Sequence, residues 1–204
     1  MPPFIAFEGI DGSGKSTQVK RLVTRLEAEG HRVHSTLEPT NYRIGAMLRR
    51  ILTGQETADE HTIAALFLAD RLDHIHHPEY GILARRAAGE VVVCDRYYYS
   101  SYAYHSQFMD MDWVIEANSM AADALRPDRV LFLDLTAEQS MARIRANRQQ
   151  IEHYERLETL QAVRSNYMRA IEKEGKKDGV VVIPADRSTD EIAEEIWDQV
   201  KDLF

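Results

Sequence analysis

Short apolar runs alternate along this chain with longer stretches of helical periodicity. Phe4-Ile5-Ala6-Phe7, Val91-Val92-Val93-Cys94, Val130-Leu131-Phe132-Leu133 and Val180-Val181-Val182-Ile183 are continuous runs, as expected of strands covered on both faces. Residues 32–37 read as a further strand, ended by Pro39. Between the runs, apolar positions recur at helical spacing. Val19, Leu22, Val23 and Leu26 mark a helix over 16–29 with Gly30 as its terminator. Residues 43–52 and 62–75 are also helical, the second with Ile63, Leu66, Phe67, Leu72 and Ile75 forming most of an apolar face. Further helices are predicted over 109–125, 137–147, 156–174 and 189–201. Strands alternating with helices predict an α/β fold, a five-stranded parallel sheet flanked by helices on both faces.

With 204 residues and no internal repeat or low-complexity tract, residues 1–204 are expected to form a single domain. No window approaches 18 consecutive apolar residues, so neither a membrane span nor a signal peptide is expected. The lone Cys94 sits in an apolar run and reads as core, which fits a reduced, cytoplasmic protein. The net charge of -8 argues against a nucleic-acid-coating surface. The cations are nevertheless biased, with 19 Arg against 6 Lys. Arginine presents a planar fork of donors suited to phosphate oxygens.

Gly9-Ile10-Asp11-Gly12-Ser13-Gly14-Lys15-Ser16 matches G-x-x-x-x-G-K-[ST], directly after a strand and opening a helix. Glycines let backbone N–H groups curl around phosphate oxygens, and the helix N-terminus adds its dipole. In such a loop Lys15 reaches the β- and γ-phosphates, and the Ser16 hydroxyl holds Mg²⁺. Thr17 follows in the same turn. Asp95, delivered at the end of the Val91–Cys94 run, is the candidate carboxylate for the same ion. The loop places the fold among three-layer P-loop NTPases.

A guanine-specific switch would carry N-K-x-D, which is absent. Arginines instead occur at Arg49, Arg71, Arg96, Arg143, Arg145 and Arg148. Phosphoryl transfer between two nucleotides needs basic groups converging from several elements, so a small-molecule kinase fits best.

Glu38-Pro39-Thr40, Arg49, Phe67-Leu68-Ala69-Asp70-Arg71, Asp95-Arg96-Tyr97, Arg126-Pro127-Asp128 and an Arg-rich segment at 143–156 follow the loop in order. In that order and spacing the chain resembles the thymidylate kinases from end to end. The resemblance implies transfer of the ATP γ-phosphoryl group to dTMP with Mg²⁺, a short lid over 143–156, and a homodimer. It implies that Arg96 touches both the acceptor phosphate and the transferring group, with Arg49 as second clamp. Asp11 faces the acceptor sugar. Phe67 stacks on the pyrimidine, Arg71 donates to its O4, and Glu38, Ser101 and Tyr104 line the same site. Arg143 and Arg145 stand where adenine is stacked. Where family members carry a further lid arginine this chain has Glu152-His153-Tyr154-Glu155, and Arg148 takes that role, with Arg145 and His153 the other candidates.

Without the resemblance, Phe67 reads as core and Arg49 and Arg71 as solvated helix arginines. The Tyr97-Tyr98-Tyr99 run reads as packing at a helix start, and His74, His76 and His77 as a solvated helix end. Three other functions share parts of the pattern. A deoxynucleoside kinase would use Glu38 as base toward a 5′-hydroxyl, another pyrimidine monophosphate could be the acceptor, and a nucleotide-dependent switch would turn over little.

Overall fold

A computed structural model of the chain describes residues 1–147 and 156–204. In chain order the elements are β1 (Phe4–Glu8), α1 (Lys15–Ala28), β2 (Val33–Leu37), α2 (Arg43–Leu52), α3 (Glu60–His76), α4 (Ile82–Ala87) and β3 (Val91–Asp95). Then come α5 (Tyr98–His105), α6 (Met111–Ala124), β4 (Arg129–Asp134), α7 (Ala137–Asn147), α8 (Leu157–Glu174), β5 (Val180–Pro184) and α9 (Thr189–Val200). The strands form one sheet in the order β2-β3-β1-β4-β5, and every pairing is parallel. No helix among the described residues is long and apolar enough to cross a membrane.

Alternation along the strands divides the core in two. Phe4, Ala6, Val92, Cys94, Val130 and Phe132 face a layer made by α3 to α8. Ile5, Phe7, Val91, Val93, Leu131 and Leu133 face α1 and α9, which contribute Leu22, Leu26, Ile192 and Ile196. Central β1 is buried along its whole length, including Glu8, which explains its unbroken apolar reading up to that residue.

The predicted strands and long helices are present, with ends moved by local capping. Asp59 accepts from the N–H groups of His61 and Thr62 and so starts α3 at Glu60, two residues before the helix predicted over 62–75. Ser188 and Glu191 close a reciprocal capping box on α9. Two helices carried no readable periodicity. The six-residue α4 is too short to show one. All eight residues of α5 are buried, between α3, α6 and α8, so it has no polar face to contrast with an apolar one.

Candidate active site

The loop between β1 and α1 lies at the C-terminal edge of the sheet. Gly9 (φ 146°) and Gly12 (φ 76°) adopt left-handed backbone, and neither site has room for a side chain. A Cβ on Gly9 would lie 2.7 Å from the Leu133 carbonyl oxygen, and one on Gly12 2.9 Å from that of Ser140. The Ser140 hydroxyl also donates to the Asp11 carbonyl, fastening the loop to α7. Lys15 folds back over the turn, its Nζ 2.9 Å from the carbonyl oxygens of both Gly9 and Ile10. Burial, helped by the nearby Arg96 charge, lowers its ammonium to about 8, although Asp11, Asp95 and Glu8 pull the other way.

This loop floors a cleft of about 610 Å³ lined by Lys15, Ser16, Asp95, Arg96, Arg143 and Arg187. Thr17 and Gly14 line it too, while Ile10 is buried beneath. Arg143 reaches from α7 toward the Ser13 carbonyl (3.5 Å) and donates to that of Ala185 (2.8 Å). Arg145 is exposed on α7 and is not among the residues lining the cleft. Arg148 and His153 lie outside the described residues. Arg187 also lines the cleft from the β5–α9 connection, where no periodicity or motif marks a loop residue.

Ser16 Oγ donates to Asp95 Oδ2 at 2.6 Å at the mouth of the cleft. No cluster of three or more His, Cys, Asp or Glu side chains suited to a metal occurs among the described residues. One hydroxyl and one carboxylate opposite a phosphate loop fit Mg²⁺, which takes few protein ligands and completes its shell with water and phosphate oxygens.

Arg96 and Asp11 form the centre. Arg96 Nη2 lies 2.5 Å from Asp11 Oδ1, and the Tyr104 hydroxyl donates to Asp11 Oδ2 at 2.8 Å. Burial would raise the Asp11 carboxyl, but Arg96 and Lys15 outweigh it and hold the group at about 2. Arg96 itself has φ 72°, a left-handed conformation that costs a residue with a Cβ about 1–2 kcal/mol. The surroundings hold it there. Its N–H donates to the Phe7 carbonyl (2.8 Å) and its carbonyl accepts from the Cys94 thiol (3.0 Å). Behind it stands Glu8, on which the N–H groups of Tyr97 and Ser100 and the hydroxyls of Ser100 and Tyr167 converge. Burial pushes the Glu8 carboxyl up, against the hydrogen bond from Ser100 and the Arg96 charge. The Tyr97-Tyr98-Tyr99 run is buried packing at the start of α5.

A second cluster of polar side chains, buried and mutually bonded, lies beyond Glu38. Arg71 is 1% exposed, not a solvated helix arginine, because its guanidinium is fully partnered inside the protein. It meets Glu38 at 2.8 Å, Ser101 Oγ at 3.1 Å, Asn118 Oδ1 at 2.6 Å and the Tyr97 carbonyl at 3.2 Å. His74 is likewise no solvated helix end. It is fully buried, with Nδ1 3.0 Å from Glu38 Oε1 and Nε2 2.8 Å from Thr36 Oγ1. His76 is exposed, and His77 stacks on Tyr80. Asp70 takes the N–H and hydroxyl of Thr40, so one face of α3 fastens the whole 36–40 segment, including a cis Glu38–Pro39 bond. Arg49 donates to the Pro39 and Thr40 carbonyls and to Asn41 Oδ1, beside that segment. Phe67 is half-buried rather than core, its ring 5.2 Å from that of His105. Burial and the Arg71 charge push the His105 imidazole down to about 3, so it is neutral.

The phosphate-loop cleft thus carries the Asp11–Arg96 pair on its lining and reaches Glu38, the carboxylate that pairs with Arg71. Comparison with known proteins points the same way. A family model described as thymidylate kinase matches residues 7–196. A probable thymidylate kinase of Pyrococcus horikoshii is 40% identical over 175 residues, covering 83% of this chain and 82% of that protein. One of Methanococcus aeolicus is 37% identical over 206 residues, covering 99% and 97%. A thymidylate kinase of Solidesulfovibrio magneticus is 38% identical over 213 residues, covering 98% and 100%. With a phosphate loop, an Asp-Arg-Tyr centre and a matching profile along nearly all of its length, this chain belongs to the thymidylate kinase family.

Proposed function

We propose that this protein transfers the γ-phosphoryl group of ATP to dTMP, giving dTDP and ADP. The observation that carries the proposal is the Asp11–Arg96 pair on the lining of a phosphate-loop cleft that also reaches Glu38, the partner of Arg71. On this reading the acceptor phosphate oxygen attacks the γ-phosphorus while the bond to the ADP oxygen breaks. No covalent enzyme intermediate is needed, because positioning and charge neutralisation carry the reaction.

Residues 9–17 cradle the ATP phosphates through backbone N–H groups, with Lys15 supplying charge and Arg143 and Arg145 attending the base side. Ser16 and Asp95 would hold Mg²⁺, which would offset the charge of the ATP phosphates. Arg96 leaves Asp11 for the phosphates, and Asp11, still held by Tyr104, turns to the acceptor sugar. Arg49 takes the acceptor phosphate, Phe67 stacks on the base, and Arg71, exchanging its Ser101 hydroxyl contact for it, meets the carbonyl edge of the base. Arg148 supplies the remaining lid cation. Glu38 is unsuited to serve as the base of a deoxynucleoside kinase, since its two oxygens are committed to Arg71 and His74. The reading further includes a single domain over 1–204, a homodimer and a cytoplasmic location.

A coupled ADP-release assay against a panel of nucleosides and monophosphates tests the proposal. A carbonyl-reading arginine favours thymine and uracil over cytosine, and the thymine methyl adds only about 1–3 kcal/mol. The expected order is dTMP, then dUMP within roughly 10–200-fold, then UMP, with dCMP last. Preference for dCMP or for an unphosphorylated nucleoside would overturn the substrate assignment.

A further inference from the structure

We propose that Glu8 is a positioning residue for phosphoryl transfer: its carboxylate sets the proton direction of a two-hydroxyl layer, Ser100 and Tyr167, against which the Arg96 guanidinium is aimed. The inference rests on the kinase reading above and extends it to residues behind the reacting groups.

Glu8 closes β1, is fully buried, and uses both oxygens. Oε1 accepts the N–H groups of Tyr97 (2.8 Å) and Ser100 (3.1 Å). It thereby caps α5, whose own N-cap residue, Tyr97, offers no side-chain bond. Oε2 accepts the hydroxyls of Ser100 (2.6 Å) and Tyr167 (2.9 Å). A hydroxyl has one proton, and an ionised carboxylate only accepts. Each hydroxyl that gives its proton to Glu8 therefore has only lone pairs left to present elsewhere. Both present them to Arg96 Nη1, at 3.1 Å from Ser100 and 3.3 Å from Tyr167, with the two hydroxyl oxygens 2.8 Å apart and the Gly9 carbonyl 3.2 Å from the same Nη1. The opposite end of the guanidinium, Nη2, is left to Asp11 and Tyr104. The rear of Arg96 is thus bonded by a fixed layer, and only its front exchanges partners. Outer partners of this kind tune the groups they orient.

Glu8→Gln keeps the shape and reverses the polarity. The amide oxygen stays on the two α5 N–H groups, while the amide NH₂ faces the two hydroxyls and donates. Their protons must then turn toward each other, toward the Gly9 carbonyl or toward Arg96, which leaves each hydroxyl one lone pair instead of two for its remaining contacts or sets donor against donor at Nη1. We expect kcat to fall roughly 10–100-fold, with KM for dTMP and ATP within about threefold of wild type and the thermal midpoint little changed. Adding Tyr167→Phe removes one misdirected hydroxyl and should restore part of the lost kcat, so the double variant outperforms Glu8→Gln alone. A purely structural role predicts the reverse, a lower midpoint, unchanged kcat per folded molecule and no rescue. If Glu8→Gln does not fold, Tyr167→Phe, which keeps the buried ring, decides. A drop in kcat at constant KM supports the proposal, and unchanged kcat overturns it. Wild type is assayed alongside. Absence of dTMP-dependent ADP release there refutes the kinase reading, whereas normal wild-type turnover with unaltered kcat in folded Glu8→Gln refutes only the role of Glu8.

Discussion

Lys15 makes nucleotide binding a proton-linked event. Its ammonium titrates at about 8 in the ligand-free protein, against 10.5 for an unburied lysine. At pH 8 half of the free molecules therefore lack the charge that ATP phosphates require. Binding restores it, so at pH 8 association takes up about half a proton. Above pH 8 each further unit costs about tenfold in ATP affinity, or about 1.4 kcal/mol, because the charged form becomes a shrinking minority. Stability of the ligand-free fold moves oppositely. Between pH 8 and 10.5 the unfolded chain binds the Lys15 proton and the folded one does not. The stability contribution of this residue accordingly rises with pH through that window, by up to about 3 kcal/mol. Calorimetric titration with ATP at pH 8, repeated in buffers of different ionisation enthalpy, reads the proton count as a slope. Thermal unfolding from pH 7.5 to 10, with Lys15→Met as reference, reads the second effect. A zero slope for wild type, or an equal slope for Lys15→Met, would refute the linkage.

Arg71→Met strips the cation from a buried carboxylate and should cost about 3–5 kcal/mol in urea unfolding; adding Glu38→Gln should return part of it. Arg96→Ala should lower kcat by roughly 10²–10³-fold, more than it raises the dTMP KM. Arg49→Ala should mainly raise that KM, and the reverse pattern would exchange the two roles. Chelation of divalent ions should abolish turnover, and Asp95→Asn should raise the Mg²⁺ concentration needed for half-maximal rate, measured by titration of the metal at saturating nucleotides.

The parts of the fold legible in sequence are those whose burial is one-sided or complete over a run. β1, β3 and β4 are apolar apart from their terminal residues, and α1 and α9 show clean stripes against the sheet. What stayed hidden is polar and buried. Glu8 looks like the first residue after a strand, and only the return of α5 and α8 onto β1, about 90 and 160 residues later, gives it donors. His74 sits one helical turn beyond Arg71 and reads as a surface histidine until Thr36 and Glu38 arrive from β2. The eight residues of α5 defeat periodicity because neighbours cover every side. Long-range hydrogen bonding leaves no local mark, whereas glycine spacing in the phosphate loop is local and was read directly.

The peptide between Arg96 and Tyr97 is a seam with evolutionary consequences. On one side, Arg96 is bonded to Gly9, Asp11, Ser100, Tyr104 and Tyr167. On the other, the Tyr97 carbonyl belongs to the Arg71 cluster, whose remaining partners come from Glu38, Ser101 and Asn118. On the proposed function this cluster meets the acceptor base, and the bonds of Arg71 run to Glu38, Ser101, Asn118 and Tyr97 rather than to the phosphate loop. On that reading, substitutions at Ser101 or Asn118, which leave the Arg71–Glu38 pair in place, are expected to retune which acceptor is taken while the Asp11–Arg96 centre stays intact. The division makes acceptor choice a separable trait, open to drift and selection on its own.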